Sequence, residues 1–135
     1  MTIKLAKDSI DLGIIVTDGP KALAFYRDTL GFEHIATTPM PGTGVMERLM
    51  CGTSLIKVVV PDKTLPAHAA PGGIQGAYGY RYWTISITNL DEVLKKCSDG
   101  GYKIVVPRRT ARPGLDIGIV EDADGNWVEF IEATA

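Results

Sequence analysis

Asp18-Gly-Pro-Lys-Ala-Leu-Ala-Phe-Tyr-Arg-Asp-Thr-Leu-Gly-Phe32 decides the fold, because it holds a helix with both ends marked. Pro20 suits the first helical turn, where an N–H would have no partner, and Asp18 or Gly19 can cap it. Gly31 stops the helix, and Phe25, Tyr26 and Leu30 give it an apolar face. On the N-terminal side, Asp11-Leu-Gly-Ile-Ile-Val-Thr17 is a β-branched run of strand length. A further strand begins at Phe32, so the order is strand, helix, strand.

The same order returns later. Tyr80-Arg-Tyr-Trp-Thr-Ile-Ser-Ile-Thr88 is strand-like, and Asn89-Leu-Asp-Glu92 sets a capping side chain three residues before a glutamate. This predicts a helix from Leu90 to Ser98, closed by Gly100-Gly101, with Leu90, Val93, Leu94 and Cys97 on its apolar face. Val16 answers Ile87, Asp18 answers Asn89, and Gly31-Phe32 answers Gly101-Tyr102, at an offset of about 70–71 positions. The chain is an internal duplication.

Each half continues with candidate strands: Phe32–Thr37, Gly44–Cys51 and Ser54–Val60 in the first, Lys103–Pro107, Leu115–Glu121 and Asn126–Ile131 in the second. Cys51-Gly-Thr53 and Asp122-Ala-Asp-Gly125 supply turn chemistry between them. The expected organisation is a single domain over 1–135, with module one at about 8–61, a linker at about 62–78 and module two at about 79–133. The Pro-, Gly- and Ala-rich stretch from Pro61 to Gly79 carries His68 and reads as a connector or a loop over a pocket.

At 135 residues the chain suits one compact domain. Its 14 basic and 16 acidic side chains leave a net charge of −2, which gives no electrostatic footprint for nucleic acid. The longest apolar stretches, such as Leu55 to Pro61, are too short for a bilayer span, and a cytoplasmic location is the expectation. Cys51 and Cys97 read as packed thiols. Serine-nucleophile, dinucleotide-binding and P-loop motifs are absent, and Gly72-Gly73 and Gly42-Thr-Gly44 read as turn residues.

The stretch 18–32 resembles the vicinal-oxygen-chelate signature, in which a strand-ending Asp precedes a helix closing on Phe-Tyr, a Leu-Gly step and an aromatic. Asp122-Ala-Asp-Gly-Asn-Trp-Val-Glu-Phe130 is similar to that family's turn into its last strand. With the duplication, the resemblance covers nearly the whole chain and points to the glyoxalase, bleomycin-resistance and dioxygenase superfamily. It implies an α+β fold: two tandem βαβββ modules whose curved mixed sheets surround a central cavity, with the helices outside. Strand alternation then assigns Leu12, Ile14, Val16, Ile56, Val58, Trp83, Ile85, Val128 and Phe130 to the core. Asp11, Gly13, Ile15, Leu55, Lys57, Val59, Tyr82, Thr84, Ser86, Trp127, Glu129 and Ile131 are assigned to the pocket.

Metal-dependent members of the family carry a His or Glu near the start of the first strand, a Glu or Gln in the last strand of the first module, a His at the start of the second and a Glu in the final strand, positions that fall here on Asp11, Lys57, Tyr82 and Glu129. Only Glu129 matches. An ammonium has no lone pair to donate, and tyrosine is an uncommon ligand. If Asp11, Lys57 and Glu129 converge, the lysine supplies the positive charge of the ion, so no metal or other cofactor is expected. A shift of the register by two would instead leave Lys57 at a rim and Asp11, Glu129 and Tyr82 for a weak divalent-metal site. His34 and His68 do not fall at ligand positions.

Pro107-Arg-Arg-Thr-Ala-Arg-Pro-Gly114 reads as a loop, either a solvated basic turn or an anion-binding element through Arg108 and Arg109. Arg48 and Arg81 are weaker candidates of the same kind. Tyr78, Tyr80, Tyr82 and Trp127 form either an aromatic ligand wall or a packing surface. The expected catalytic set is Glu129, Asp11, Lys57 and Tyr82, with Trp127, Thr84, Ser86, Tyr80, Arg48, Arg108 and Arg109 for substrate. Two functions compete: a glyoxalase-like lyase or isomerase with a carboxylate base, and a non-catalytic, drug-sequestering protein. A metal-dependent lyase or dioxygenase ranks third, because an iron site of two histidines and a carboxylate is not presented at the ligand positions. The expected partners are a small molecule and, by resemblance, a second copy of the chain in a homodimer, with no nucleic acid and no membrane.

Overall fold

The computed structural model describes residues 2–134. Its backbone contacts divide into two compact units, Met1–Pro66 and Ala67–Ala135, each holding one module. In the first unit, β1 (Leu12–Ile15) leads into α1 (Gly19–Leu23), followed by β2 (Glu33–Met40), β3 (Gly44–Cys51) and β4 (Ser54–Pro61). In the second, β5 (Tyr82–Ser86), α2 (Leu90–Asp99), β6 (Ile104–Arg112), β7 (Leu115–Glu121) and β8 (Trp127–Ala133) repeat the plan. The sheets have matching orders, β1-β4-β3-β2 and β5-β8-β7-β6. In each, the first strand pairs in parallel with the last, and the remaining pairs are antiparallel.

The first helix is capped as the sequence predicts, with the Lys21 amide donating to Asp18 Oδ1 at 3.0 Å. It does not stay α-helical. From Ala24 to Thr29 it widens into a π turn, in which the Leu30 amide reaches back five residues to the Phe25 carbonyl at 2.9 Å. The wider turn lets Phe25 and Tyr26 both lie buried, edge to face at 4.8 Å.

The second helix departs from the expected cap. Asn89 makes no side-chain bond to the helix backbone and instead donates to Glu92 at 3.2 Å. The Leu90 amide donates to Glu132 on β8 at 2.7 Å, so a carboxylate distant in sequence serves the helix N-terminus.

Both helices locate the two faces of their sheets. Gly19 lies against Val60, where an added Cβ would sit 3.1 Å from Val60 Cγ2. Val58 and Ile56, on the same face of β4 as Val60, are fully buried, and register carries that face to Ile14 and Leu12 on β1 and to Leu49 on β3. In the second unit Gly118 lies under Leu94, which places Phe130, Val128, Val120 and Ile85 on the helix side. The opposite faces carry Gly13, Ile15, Lys57, Val59, Arg48 and Met46 in one sheet, and Tyr82, Thr84, Ser86, Glu129, Ile131, Ile117 and Ile119 in the other.

The basic stretch is corrected outright. Strand β6 extends to Arg112, so Arg108, Arg109 and Arg112 stand on a strand, and the reversal is confined to Pro113-Gly114, with Gly114 at φ +83°. Irregular pairing between Val106 and Arg109 shifts the register, which turns Arg108 to the helix side and Arg109, the partner of Ile117, to the other. β2 likewise runs past Thr37 to Met40. β5 starts only at Tyr82, which leaves Tyr80 outside the strand.

Candidate small-molecule site

On the helix-free face of the first sheet, Lys57 lies between Gly13 on β1 and Arg48 on β3. Glycine leaves room on one flank, since an added Cβ at Gly13 would meet nothing within 4 Å. The Lys57 ammonium is 3.6 Å from Asp11 Oδ2, and Lys7 Nζ is 2.6 Å from Asp11 Oδ1. The hydrogen bond from Lys7 above all, with the charge of Lys57 adding to it, holds the Asp11 carboxyl below the usual carboxylate range. The sequence reading missed Lys7: residues 7–11 are not helical, so no periodic pattern pointed to this contact.

Thr84 and Glu129 are the matching pair of the second sheet. They are register partners, and the Thr84 hydroxyl donates to Glu129 Oε1 at 2.7 Å. That bond fixes one carboxylate oxygen on a face that also carries exposed Ser86 and half-exposed Tyr82. Trp127, beside Tyr82, turns its indole N–H to Glu121 Oε2 at 3.2 Å. Gly73 covers its ring: an added Cβ there would stand 2.1 Å from Trp127 Cε2. Arg81 secures this cover, donating to the carbonyls of Gly73 at 2.7 Å and Ala70 at 2.6 Å. Its guanidinium therefore ties down residues 70–73, a different task from anion binding.

Arg108 is also engaged elsewhere. On the helix side it contacts Asp116 at 2.8 Å, Asp91 at 3.2 Å and Glu132 at 3.5 Å, which ties β6 to β7, β8 and the start of α2. Its bond to Asp116 keeps that carboxyl below the usual range. This replaces the expectation that Arg108 anchors an anionic substrate. Arg109 is exposed on the other face. Tyr78 and Tyr80, both fully exposed, line an open groove with Ile74, Arg81 and Tyr82. His34 pairs with Glu47 at 3.0 Å on β3, and His68 is exposed in the connector. Both cysteines are free thiols.

Asp11, the first of the positions that the family resemblance assigns to metal ligands, does not suit a divalent ion. The Asp11 carboxylate already sits between two ammonium groups, and a cation there would meet their repulsion. Among the described residues, no group of three or more His, Cys, Asp or Glu side chains is arranged to hold a metal ion. Among these residues, too, no helix is long and apolar enough to cross a membrane.

Comparison with known proteins agrees with the architecture. A glyoxalase family protein from Bacillus cereus superposes with a TM-score of 0.84 at 15% identity, over 98% of this chain and 97% of that one. TnmS3, an antibiotic binding protein from Streptomyces sp. CB03234, gives 0.70 at 19% identity, over 97% and 100%. A lactoylglutathione lyase from Agrobacterium tumefaciens gives 0.64 at 21% identity, over 91% of each chain. No curated protein matches the chain. The family model that does match spans residues 9–130, nearly all of both βαβββ modules, and on that match the chain belongs to the Glyoxalase/Bleomycin resistance protein/Dioxygenase superfamily.

Proposed function

We propose that this chain is a small-molecule-binding protein of the glyoxalase type that works without a resident metal and receives its ligand on the helix-free faces of its sheets. The observation that carries the reading is the Lys57–Asp11 ion pair at 3.6 Å, which sets an ammonium where metal-dependent relatives place a ligand. The positive charge is then covalent to the chain and cannot be exchanged or chelated away.

The chemistry that the helix-free face of the second sheet supports is proton transfer next to a carbonyl, the work of a lyase or isomerase. Glu129, oriented by Thr84, takes a proton from the carbon beside the carbonyl and returns it to a neighbouring position. The Tyr82 hydroxyl, on the same face of the neighbouring strand, is the available donor to the enolate oxygen. A second reading, sequestration without turnover, is favoured by the structural likeness to the antibiotic binding protein TnmS3. Pairing of two copies, which rests on the family resemblance, and a cytoplasmic location belong to the same proposal.

Thermal-shift titration with S-lactoylglutathione and a panel of antibiotics, on metal-depleted protein, tests it. A saturable shift lost in Lys57→Met supports the reading, and absence of any saturable shift counts against it. For whichever compound binds, Glu129→Gln separates the two forms: an enzyme keeps affinity and loses turnover, whereas a carrier changes only in affinity.

A further inference from the structure

We propose that Arg48 and Lys57 form an anion-binding site on module one, built for a carboxylate or phosphate group carried on an apolar body. The inference rests on the small-molecule reading above and names the chemistry of that ligand.

Arg48 and Lys57 are direct cross-strand partners in the antiparallel pairing of β3 with β4. Side chains opposite each other in this way emerge from the same face with Cβ atoms about 5 Å apart, and like charges so placed destabilise a sheet. Both residues are half-buried, so solvent screens them only in part. Lys57 has Asp11 at 3.6 Å, but that carboxylate is held more tightly by Lys7 at 2.6 Å. Arg48 has no hydrogen-bond or ion-pair partner among the described residues, and its neighbour Glu47 faces the other way, to His34 and Thr37. A planar fork and a point charge therefore stand side by side with their positive charge incompletely met, the pairing that suits an incoming anion.

The surroundings define the rest of the ligand. Along the strands, the next positions on this face are Leu55 with Met50 on one side and Val59 with Met46 on the other. Leu55 and Val59 are 6% and 7% exposed. The cations thus rise from an apolar floor, which strengthens a charge-assisted bond and offers contact to a hydrocarbon or aromatic body. Two methionines in that floor adapt to ligands of differing outline.

Benzoate, phenyl phosphate and neutral benzamide, titrated into the isotope-labelled full chain at constant ionic strength, test the proposal by NMR. Benzoate or phenyl phosphate is expected to shift the Arg48 Nε–H and the Met46 and Met50 methyl signals saturably, and the tighter of the two identifies the headgroup. Benzamide is expected to bind about tenfold more weakly, and Arg48→Gln to weaken the anions by a similar factor. Lys57→Gln serves as the second variant should Arg48→Gln fail to fold. Benzamide binding as tightly as benzoate, with no effect of either substitution, would overturn the anion site and leave the small-molecule face standing. Absence of saturable shifts from all three probes would overturn both.

Discussion

Gly73→Ala is expected to uncover Trp127. Gly73 sits at φ +56°, where a side chain costs about 1–2 kcal/mol. Its new Cβ would also stand 2.1, 2.2 and 2.4 Å from three atoms of the Trp127 ring. Carbon atoms pack at about 3.5–4.0 Å, so turn and ring must separate by about 1.5 Å, and forcing them together adds about 1–3 kcal/mol. Closed, the variant carries about 2–5 kcal/mol of strain. Opposing release are the hydrogen bonds from Arg81 to Gly73 and Ala70, part-exposed and each worth at most about 1.5–3 kcal/mol. The two sides are comparable, so the turn at Gly73–Gln75 should lift in a sizeable fraction of molecules while the sheet beneath survives. In a Trp83→Phe background, where Trp127 is the sole indole, its emission should move to the red and acrylamide quenching should rise. The urea midpoint should fall by less than the full strain implies. Unchanged emission, quenching and midpoint would refute the reasoning.

Other perturbations read out separate parts of the account. Glu132→Ala removes the acceptor for the Leu90 amide and should cost about 1–2 kcal/mol, seen as a lower urea midpoint at unchanged slope, with faster exchange at Leu90. An unaltered midpoint would mean that α2 does not depend on this cap. Asp11 has a depressed folded pKa, so its stabilisation is present above the unfolded carboxylate value, about 3.9, and is lost as pH falls through the folded value. The advantage of the native protein over Asp11→Asn should therefore be full at neutral pH and vanish in acid. A gap independent of pH would contradict this. Cys97 is fully buried, and burial pushes its thiol up to about 11, so it should react with a thiol reagent near neutral pH only as the chain unfolds. Rapid labelling of Cys97 in the folded protein would count against that placement.

Local chemistry made most of the fold legible. The Asp18 cap, the helix stop at Gly31 and the turns at Gly52 and Gly125 act within a few residues, so their sequence signals are complete, and β3 and β7 fall within the expected bounds. Alternation along β1 and β5 also survives, with Leu12 and Ile14 less exposed than Gly13 and Ile15, and Trp83 and Ile85 less exposed than their neighbours.

What escaped the sequence depends on partners far along the chain. Glu132 reaches Leu90 across 42 positions, so Asn89, with its local capping pattern, looked the better cap. Arg108 was misplaced because its proline-bracketed basic stretch reads as a loop whereas β6 runs on to Arg112, and only the positions of Asp116 and Glu132 show which face it takes. The role of Gly73 follows from the ring of Trp127, which no pattern around residue 73 reveals. In the candidate site, Lys57 and Glu129 could be located by counting, whereas Arg48 gained weight only once the register set it opposite Lys57.

On the proposed reading, the Lys57 ammonium supplies the charge that a divalent ion supplies in metal-dependent members of the family. Elemental analysis of the purified protein, before and after equilibration with zinc, nickel, manganese and iron followed by exhaustive dialysis, tests it most directly. The account predicts only trace, substoichiometric metal throughout, and a tightly retained ion in every chain would contradict it.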